Sequence, residues 1–438
     1  MPVNIWKMKV IQMKILVVGA GGREHALVCA LDKSDMVEQI YSLPGNGGIN
    51  KIATFVDISV KDFYKISNFC KENLIDLVVI GPEEPLVEGI VDYLEDEGIK
   101  CFGPSAAAAK IEGSKEYMKQ LAKKYNIPSA EFESFTDAES AKEYVKSKKI
   151  PIVIKTDGLA AGKGVIIAQS LSEANSAIDE MFAGRFGSAG QKIVIEEFMT
   201  GEEVSFFAIS DGENAIAFGS VQDHKAVGEG DTGPNTGGMG TYSPAPVVTD
   251  KIHEEIMDSI INPLIYGMNN DGIPYKGVLF AGVMIVDGKP KLLEYNVRFG
   301  DPECQVLMTR LKSDITPILL ASCDKKLDEC EIEFHNKSVI CVVMAANGYP
   351  ANYEKGTEIR NLEEAESNDN VLIYHAGTKF DDSKLLATGG RVLGVTAIED
   401  NIINAQKRAY EAIDKIDWNE GFCRRDIGWR AIERCNES

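Results

Sequence analysis

Residues 13–26 read MKILVVGAGGREHA, and this stretch decides how the chain begins to fold. The continuous apolar run at 15–18 is typical of a buried parallel strand, and it stops at Gly19. The residues that follow place apolar side chains on one helical face. A second apolar run at 77–80 and a helical pattern at 86–94 repeat this order. The alternation predicts a doubly wound α/β domain.

The totals of the chain restrict its function. Its 438 residues are enough for about two to four domains. The net charge of -21 argues against nucleic acid or an anionic membrane as a partner, so phosphate ligands would need local positive charge. Nine cysteines without zinc spacing indicate reduced thiols. We expect a cytoplasmic protein without nucleic-acid or membrane partners, either a monomer or a small homo-oligomer.

The turn after the first strand is the first candidate site. Its members are Gly21, Gly22, Arg23, Glu24 and His25. Glycines let the backbone approach a ligand, a helix N-terminus favours an anion, and arginine suits phosphate. The pattern is not GxGxxG, and Ser-Leu-Pro-Gly-Asn at 42–46 lacks the acid of a dinucleotide site. A phosphoribose ligand is therefore favoured, and a turn needed only for packing is the alternative.

A glycine-rich stretch, KTDGLAAGKGV at 155–165, lies between two apolar runs. It is not a Walker loop, because its glycines are too close together and Gly164 replaces the Ser or Thr that would hold Mg²⁺. The stretch also runs from strand to strand. We interpret it as a flap over phosphates with Lys155 and Lys163 as point charges. The alternative is a hairpin with solvated lysines.

Two further segments carry polar residues in a suggestive order. Residues 196–199 read EEFM at a strand end, where backbone groups could meet an adenine edge and Glu203 could accept ribose hydroxyls. Solvated acids are the alternative. Residues 223–246 are rich in Gly, Pro, Asn and Thr, and a loop of this length is usually functional. His224 within it is more simply a surface histidine than a base.

The segment EYNVRFGDPE at 294–303 ends a hairpin whose turn is Asp287 and Gly288. On a strand, Glu294, Asn296 and Arg298 share one face. Carboxylate and amide oxygens suit Mg²⁺ that bridges nucleotide phosphates, and a guanidinium suits a carboxylate or a phosphoryl group. A polar strand that faces solvent is the alternative.

Taken together, these motifs resemble the ATP-grasp superfamily and, more narrowly, the glycinamide ribonucleotide synthetases. The anchors are residues 19–26, 44–46, 81–83, 158–164, 222–225, 233–240 and 294–303. The resemblance implies an α/β and α+β multidomain protein: an N-terminal doubly wound α/β domain, central ATP-grasp lobes and a C-terminal α+β domain. The expected bounds are 1–12 for an N-terminal extension, 13–113 on the phosphoribosylamine side, 114–325 for the two ATP-grasp lobes and 326–438.

The resemblance also implies residue roles. The expected nucleotide contacts are Lys115, Lys155, Gly162, Lys163, Gly164, Glu196, Glu197, Phe198, Met199 and Glu203. The expected substrate contacts are Gly21, Gly22, Arg23, Glu24, His25, Pro44, Gly45, Asn46, Asp223 and Arg298. The expected catalytic residues are Lys155, Asp223, Lys225 and Arg298, and the expected ligands of Mg²⁺ or Mn²⁺ are Glu294 and Asn296.

The activity that the resemblance implies is ATP-dependent joining of glycine to 5-phosphoribosylamine through glycyl phosphate, a step of purine biosynthesis. The alternatives are another ATP-grasp carboxylate–amine ligase or carboxylase, a nicotinamide dehydrogenase and a non-catalytic nucleotide-binding regulator. Two departures from the family pattern are visible. Residues 1–12 precede the usual start, and Cys304 stands where a hydroxyl residue is expected.

Overall fold

The computed structural model describes residues 12–158, 164–185 and 190–437. Its first sheet is parallel, because strand–helix alternation returns the chain to the same edge. The strands are β1 (Met13–Gly19), β2 (Val37–Pro44), β3 (Thr54–Phe55), β4 (Leu77–Ile80) and β5 (Cys101–Phe102). Their order is β3-β2-β1-β4-β5, which is the doubly wound arrangement predicted.

Short helices cover this sheet. They are α1 (Gly22–Leu31), α2 (Phe63–Asn73), α3 (Glu83–Val87), α4 (Ile90–Asp96) and α5 (Ala106–Gly113). The single helix expected at 86–94 was wrong, since Gly89 adopts φ +89° between α3 and α4. The break turns the start of α3, with Glu83, toward the rest of the protein.

The next part of the chain builds a lobe around an antiparallel sheet. Its strands are β6 (Phe132–Phe135), β7 (Ile152–Thr156), β8 (Val165–Ala168) and β9 (Ile193–Glu197), in the order β6-β9-β7-β8. Its helices are α6 (Lys115–Lys124), α7 (Ala138–Lys146) and α8 (Leu171–Glu180). The glycine-rich stretch thus connects two paired strands, as predicted. Gly162 and Lys163 lie outside the described residues.

In the described part of the chain, the remaining strands form three sheets, which have nine, three and two strands. The strands are β10 (Glu202–Asp211), β11 (Ala215–Asp223), β12 (Ala226–Gly228), β13 (Thr232–Asn235), β14 (Gly240–Ser243), β15 (Lys276–Val286), β16 (Lys289–Asn296), β17 (Ser338–Ala346), β18 (Glu358–Ile359), β19 (Val371–His375), β20 (Thr378–Asp381), β21 (Lys384–Ala387), β22 (Arg391–Glu399) and β23 (Gly421–Phe422). The order in the nine-stranded sheet is β16-β15-β10-β11-β14-β17-β22-β19, with β23 beside β17. The hairpin predicted at Asp287 and Gly288 connects β15 to β16.

Helices flank this sheet. They are α9 (Asp250–Ile256), α10 (Asn262–Asn270), α11 (Glu303–Arg310), α12 (Ile315–Asp324), α13 (Leu362–Ala365), α14 (Ile402–Ile413) and α15 (Trp429–Glu437). Strand β14 pairs with both β11 and β17, so the strands after residue 338 continue the central sheet. This also shows that the long loop at 223–246 contains strands.

The hydrophobic cores cross the boundaries between these parts. One core contains Leu16 and Val78 of the first sheet together with Ala208 and Tyr295 of the central sheet, each less than 1% exposed. Shared burial holds the glycine turn after β1 against the end of β16. Along the described ranges, no helix has the length and apolar content needed to cross a bilayer.

Candidate active site

A cleft of about 480 Å³ separates the antiparallel lobe from the central sheet. It collects residues from every part of the fold, and most of the predicted site residues lie in its wall. Those are Arg23, Lys115, Lys155, Gly164, Glu196, Glu197, Phe198, Met199, Glu203, Asp223, Lys225, Glu294, Asn296 and Arg298. Sequence positions up to 275 residues apart therefore meet at one place.

The end of β16 presents its polar face to the cleft, as the alternation predicted. Tyr295 and Val297 are buried on the other face. The Glu294 carboxylate lies 3.1 Å from the Lys115 ammonium at the start of α6. Lys115 lowers the pKa of Glu294 despite burial, with help from Lys225 and Lys155, so this carboxylate is ionised at neutral pH.

Lys155 at the end of β7 lies in the same wall. Its ammonium is 3.0 Å from Glu196 Oε1 and donates to the Leu293 carbonyl at 3.4 Å. The Glu196 side chain is therefore occupied by lysine. The segment after it brings half-exposed Phe198 and buried Met199 to the cleft wall.

Lys225 and Glu203 form an ion pair across the cleft. Burial opposes the charge on Lys225, but the carboxylates of Glu203, Glu294 and Asp223 outweigh it and raise the pKa of Lys225. A ligand hydroxyl that bonds to Glu203 would therefore compete with this lysine. The pair places an ammonium group between the metal-type oxygens of β16 and the loop after β11.

Arg298 is held by two carboxylates. Its Nε donates to Glu83 at 3.0 Å and its Nη2 to Glu112 at 3.3 Å, while Asn296 Oδ1 also accepts from Nη2 at 3.4 Å. Burial opposes ionisation of Glu83, but Arg298 and Arg23 outweigh it and lower the pKa of Glu83 to about 2. The guanidinium is thus fixed in direction before a ligand arrives.

Two carboxylates in the cleft wall, partly buried Asp223 and buried Glu303, interact electrostatically. Asp223 accepts from its neighbour's amide His224 N at 2.7 Å, and Glu303 accepts from Ser205 Oγ at 3.1 Å. Burial raises the pKa of both groups, and the charge of Glu303 raises that of Asp223 further. A group that keeps a proton readily is suited to acid–base work.

Part of the predicted substrate set does not line the cleft. The residues concerned are Gly21, Gly22, Glu24, His25, Pro44, Gly45 and Asn46. The Asn46 amide donates to the Ala20 and His375 carbonyls, at 2.9 and 2.8 Å, and its oxygen accepts from two backbone amides. These side-chain contacts fasten the turn to the last part of the chain.

His25 also connects the glycine turn to the last part of the chain. Its Nδ1 accepts the amide of His375 at 2.8 Å, and its side chain is 6% exposed. Burial, and then the charges of His375 and Lys51, lower the pKa of His25 to about 3. The ring is therefore neutral at physiological pH and acts as a hydrogen-bond acceptor inside the protein.

His224, interpreted from sequence as a surface residue, is buried, and that interpretation was wrong. Its Nδ1 lies 2.9 Å from the Gly240 carbonyl, and its Nε2 accepts the Gly428 amide at 3.2 Å. The strand pairing of β14 buries this ring between the loop and the C-terminal segment. Burial lowers the pKa of His224 to about 4, so it too is neutral.

Five charged residues that line the cleft were given no role from the sequence: Glu83, Glu112, Asp301, Glu303 and Arg391. Three of them stand inside quoted motifs, so their signal was present. Arg391 begins β22 after Gly389 and Gly390, and its Nη1 donates to the Gly237 carbonyl at 2.6 Å. A lone arginine 88 residues beyond the last of the other motifs, which ends at Glu303, gives no local pattern that indicates this contact.

Cys304 is fully buried at the start of α11, with its sulfur 3.7 Å from the Arg23 carbonyl oxygen. Burial raises the pKa of the thiol well above its usual value, so it remains protonated. The thiol is a weak donor to the backbone of the glycine turn.

Models of three protein domains match the chain. They are the N domain of phosphoribosylglycinamide synthetase at residues 13–112, its ATP-grasp (A) domain at 113–304 and its C domain at 339–430. The phosphoribosylamine--glycine ligase of Brucella melitensis is 53% identical over 422 residues, which is 96% of this chain and 99% of that protein.

Solved structures show the same similarity. The phosphoribosylamine--glycine ligase of Thermotoga maritima is 32% identical with a TM-score of 0.83, covering 94% of this chain and 99% of that one. The biotin carboxylase domain of 2-oxoglutarate carboxylase from Hydrogenobacter thermophilus has a TM-score of 0.71 at 16% identity, covering 94% of this chain and 91% of that one. The second likeness shows the fold alone.

Proposed function

This chain belongs to the phosphoribosylglycinamide synthetase family, and we propose that it joins glycine to 5-phosphoribosylamine with ATP as co-substrate. The observation that carries the proposal is the cleft itself. It combines ammonium groups and metal-type oxygens at one end with a fixed guanidinium and buried carboxylates at the other. Phosphoryl transfer to a carboxylate needs both kinds of group at one place.

The reaction has two steps. An oxygen of the glycine carboxylate attacks the γ-phosphorus of ATP, the bond to the β-phosphate oxygen breaks, and ADP leaves. The nitrogen of phosphoribosylamine then attacks the carbonyl carbon of glycyl phosphate, and the bond to phosphate breaks. The nitrogen loses one proton, and inorganic phosphate leaves with both electrons of the broken bond.

The residues of the cleft divide this work. We assign Lys115 and Lys155 to the phosphates, because both ammonium groups line the wall beside Glu294 and Glu196. Arg298 would stabilise charge on the transferring group, and it is already directed by Glu83. Asp223 and Glu303 would hold the proton that the amine loses, since burial makes both carboxylates better proton acceptors.

A divalent cation fits beside these groups. Within the described ranges, no three His, Cys, Asp or Glu side chains form a cage for a metal. Glu294 and Asn296 offer two hard oxygens on one strand, and Mg²⁺ characteristically takes its remaining ligands from phosphate and water. We propose Mg²⁺ or Mn²⁺ here, where the ion would neutralise phosphate charge.

We further propose that the flap near residues 158–164 covers the nucleotide and that the turn with Arg23 lies next to phosphoribosylamine. Arg23 Nη1 donates to the Phe299 carbonyl at 3.1 Å, which keeps the guanidinium at the cleft wall. Residues 13–113, 114–325 and 326–438 would act as substrate, nucleotide and closing domains. Nine free thiols and the charge of -21 support a cytoplasmic monomer or small homo-oligomer that meets neither nucleic acid nor membrane.

The test is an assay of ADP release with phosphoribosylamine made in situ. We expect release only when ATP, glycine, the amine and Mg²⁺ are all present, with glycinamide ribonucleotide formed in equal amount. Replacing glycine by bicarbonate or formate tests the rival ATP-grasp activities. ADP release that does not depend on glycine would contradict the proposal. A carboxylated product formed from bicarbonate would also contradict it.

A further inference from the structure

A second lysine lies behind Lys155, outside the cleft. Lys119 of α6 is fully buried, and its ammonium nitrogen is 3.0 Å from Glu196 Oε2. Lys155 Nζ is 3.0 Å from Glu196 Oε1 and also donates to Glu196 Oε2 at 3.1 Å. Glu196 and Lys155 line the cleft wall, whereas Lys119 does not. One carboxylate is therefore shared between an inner and an outer ammonium group.

The charges of Lys119, Lys155 and Glu196, here called the trio, do not cancel. Two ammonium groups and one carboxylate leave one positive charge in excess, and the outer group is the one that a ligand can reach. A simple pair of Lys155 and Glu196 would be neutral, and an anion in the cleft would find no net attraction there. The inner lysine supplies the difference.

The trio also lowers the cost of moving Lys155. Glu196 is 2% exposed, so a carboxylate that lost its only partner would remain charged in a poorly solvated place. Lys119 keeps Glu196 paired when Lys155 turns to a ligand. Because α6 packs Lys119 at 0% exposure, the inner ammonium cannot follow the outer one into the cleft.

We propose that Lys119 is a positioning residue that releases Lys155 from Glu196 for the nucleotide phosphates. The inference rests on the proposed function, in which Lys155 binds those phosphates. Lys119 acts through charge compensation and touches no ligand. Burial lowers the pKa of Lys119, while the charge of Glu196 opposes that effect. The protonation of Lys119 therefore depends on Glu196.

The competing explanation is packing. In that view Lys119 fills space between α6 and β9 and anchors the helix, and its charge is incidental. Lys119 Nζ and Glu196 Oε1 each lie 3.0 Å from an opposite charge, a contact that both explanations allow. Removing the carboxylate together with the lysine separates the two explanations.

The experiment measures the affinity for MgATP by calorimetry, without glycine or amine, in four proteins: wild type, Lys119→Met, Glu196→Gln and the double variant. Lys119→Met should weaken binding at least about tenfold, because the trio becomes a neutral pair that holds Lys155. The double variant restores one net positive charge and should bind MgATP more tightly than Lys119→Met does, by at least about threefold. Glycine does not enter the measurement.

Two additions keep the result decisive. Lys142→Met is the matched control, since Lys142 lies in the same lobe in an ion pair with exposed Asp179, and it should bind like wild type. If Lys119→Met does not fold, Lys119→Gln keeps a donor without the charge and should show the same loss.

Wild-type affinity in Lys119→Met or Lys119→Gln would overturn the proposal. A double variant no tighter than the single one would also overturn it, because packing would then explain the loss. Wild-type protein that binds MgATP but never requires glycine for ADP release would instead contradict the proposed function, so the two failures are distinguishable.

Discussion

The two ends of the cleft hold their positive charges in different ways. At the lysine end, defined as Lys115, Lys155 and their partners Glu196 and Glu294, each ammonium group has a carboxylate within 3.1 Å, and the carbonyl contact from Lys155 to Leu293 is longer at 3.4 Å. At the arginine end, defined as Arg23, Arg298, Arg391 and their partners, guanidinium groups also donate to backbone carbonyls of Phe299 and Gly237. Carboxylate partners can be exchanged for phosphate, whereas carbonyl partners fix a direction.

The two kinds of charged group suit the two proposed steps, transfer of phosphate from ATP and attack by the amine. An ammonium group is a compact charge on a flexible stem, which suits phosphates that arrive and leave as ATP and ADP. A guanidinium is a planar fork that is useful when its plane is held. We therefore expect substitutions at the lysine end to affect the nucleotide, and substitutions at the arginine end to affect transfer and the amine substrate.

The largest effect is expected from Glu294→Ala at the lysine end. The change removes a proposed metal ligand and the partner of Lys115, so ADP release at saturating glycine should fall by about a thousandfold or more. Glu213→Ala is the control, because Glu213 forms a surface ion pair with Lys325 far from the cleft. Near-normal turnover of Glu294→Ala would remove this residue as a metal ligand.

Arg298→Lys tests whether the fork geometry matters at the arginine end. A lysine keeps the charge but cannot contact Glu83 and Glu112 as the guanidinium does. We expect kcat to fall about a hundredfold with all substrates saturating, since a fixed donor to the transferring group is lost. If kcat falls less than about threefold, charge alone is sufficient and the comparison between the two ends fails.

Arg391→Met should change the KM for phosphoribosylamine and leave the KM for ATP nearly unchanged. Arg391 Nη1 donates to the Gly237 and Asp301 carbonyls, its Nη2 lies 3.7 Å from Asp301 Oδ1, and the residue lines the cleft. We expect the KM for phosphoribosylamine to rise about tenfold, while the KM for ATP stays within about twofold. Arg360→Met, at an exposed arginine in the same part of the chain, is the control. Equal changes in both KM values would contradict this division.

The smallest effect concerns the fastening behind the arginine end. Burial lowers the pKa of His25 from 6.5 to about 3, so the neutral ring contributes stability above pH 6.5 that is lost as the pH falls toward 3. His25→Gln keeps an acceptor that does not titrate. Between pH 7 and pH 5, its unfolding free energy in urea should fall by about 1–2 kcal/mol less than that of wild type. An equal fall in both proteins would show that His25 is already accessible to protons.

The sequence predicted the lysine end better than the arginine end, for a physical reason. Strand alternation places Glu294 and Asn296 on one face, and a glycine-rich turn after a strand marks Lys155, so local periodicity was enough. The arginine end is assembled from Glu83, Asp301 and Arg391, which meet only because α3, the turn before α11 and β22 pack together. No local pattern encodes such contacts.

The same contrast applies to the fold. The doubly wound order of the first sheet follows from alternation, and the antiparallel lobe follows from its hairpins. The continuation of the central sheet through β14 was not predictable from hydrophobic pattern, because a four-residue strand within a glycine-rich stretch resembles a loop. That strand also explains why His224 is buried.

Phosphorylation of the glycine carboxylate in the cleft can be tested by following the oxygen atoms of that carboxylate. Glycine labelled with ¹⁸O in both carboxylate oxygens is ligated by the enzyme, and the released phosphate is analysed by mass spectrometry. Each released phosphate should carry one ¹⁸O atom, because the bridging oxygen of glycyl phosphate comes from the carboxylate. Phosphate that carries no label while glycinamide ribonucleotide accumulates would contradict this phosphorylation.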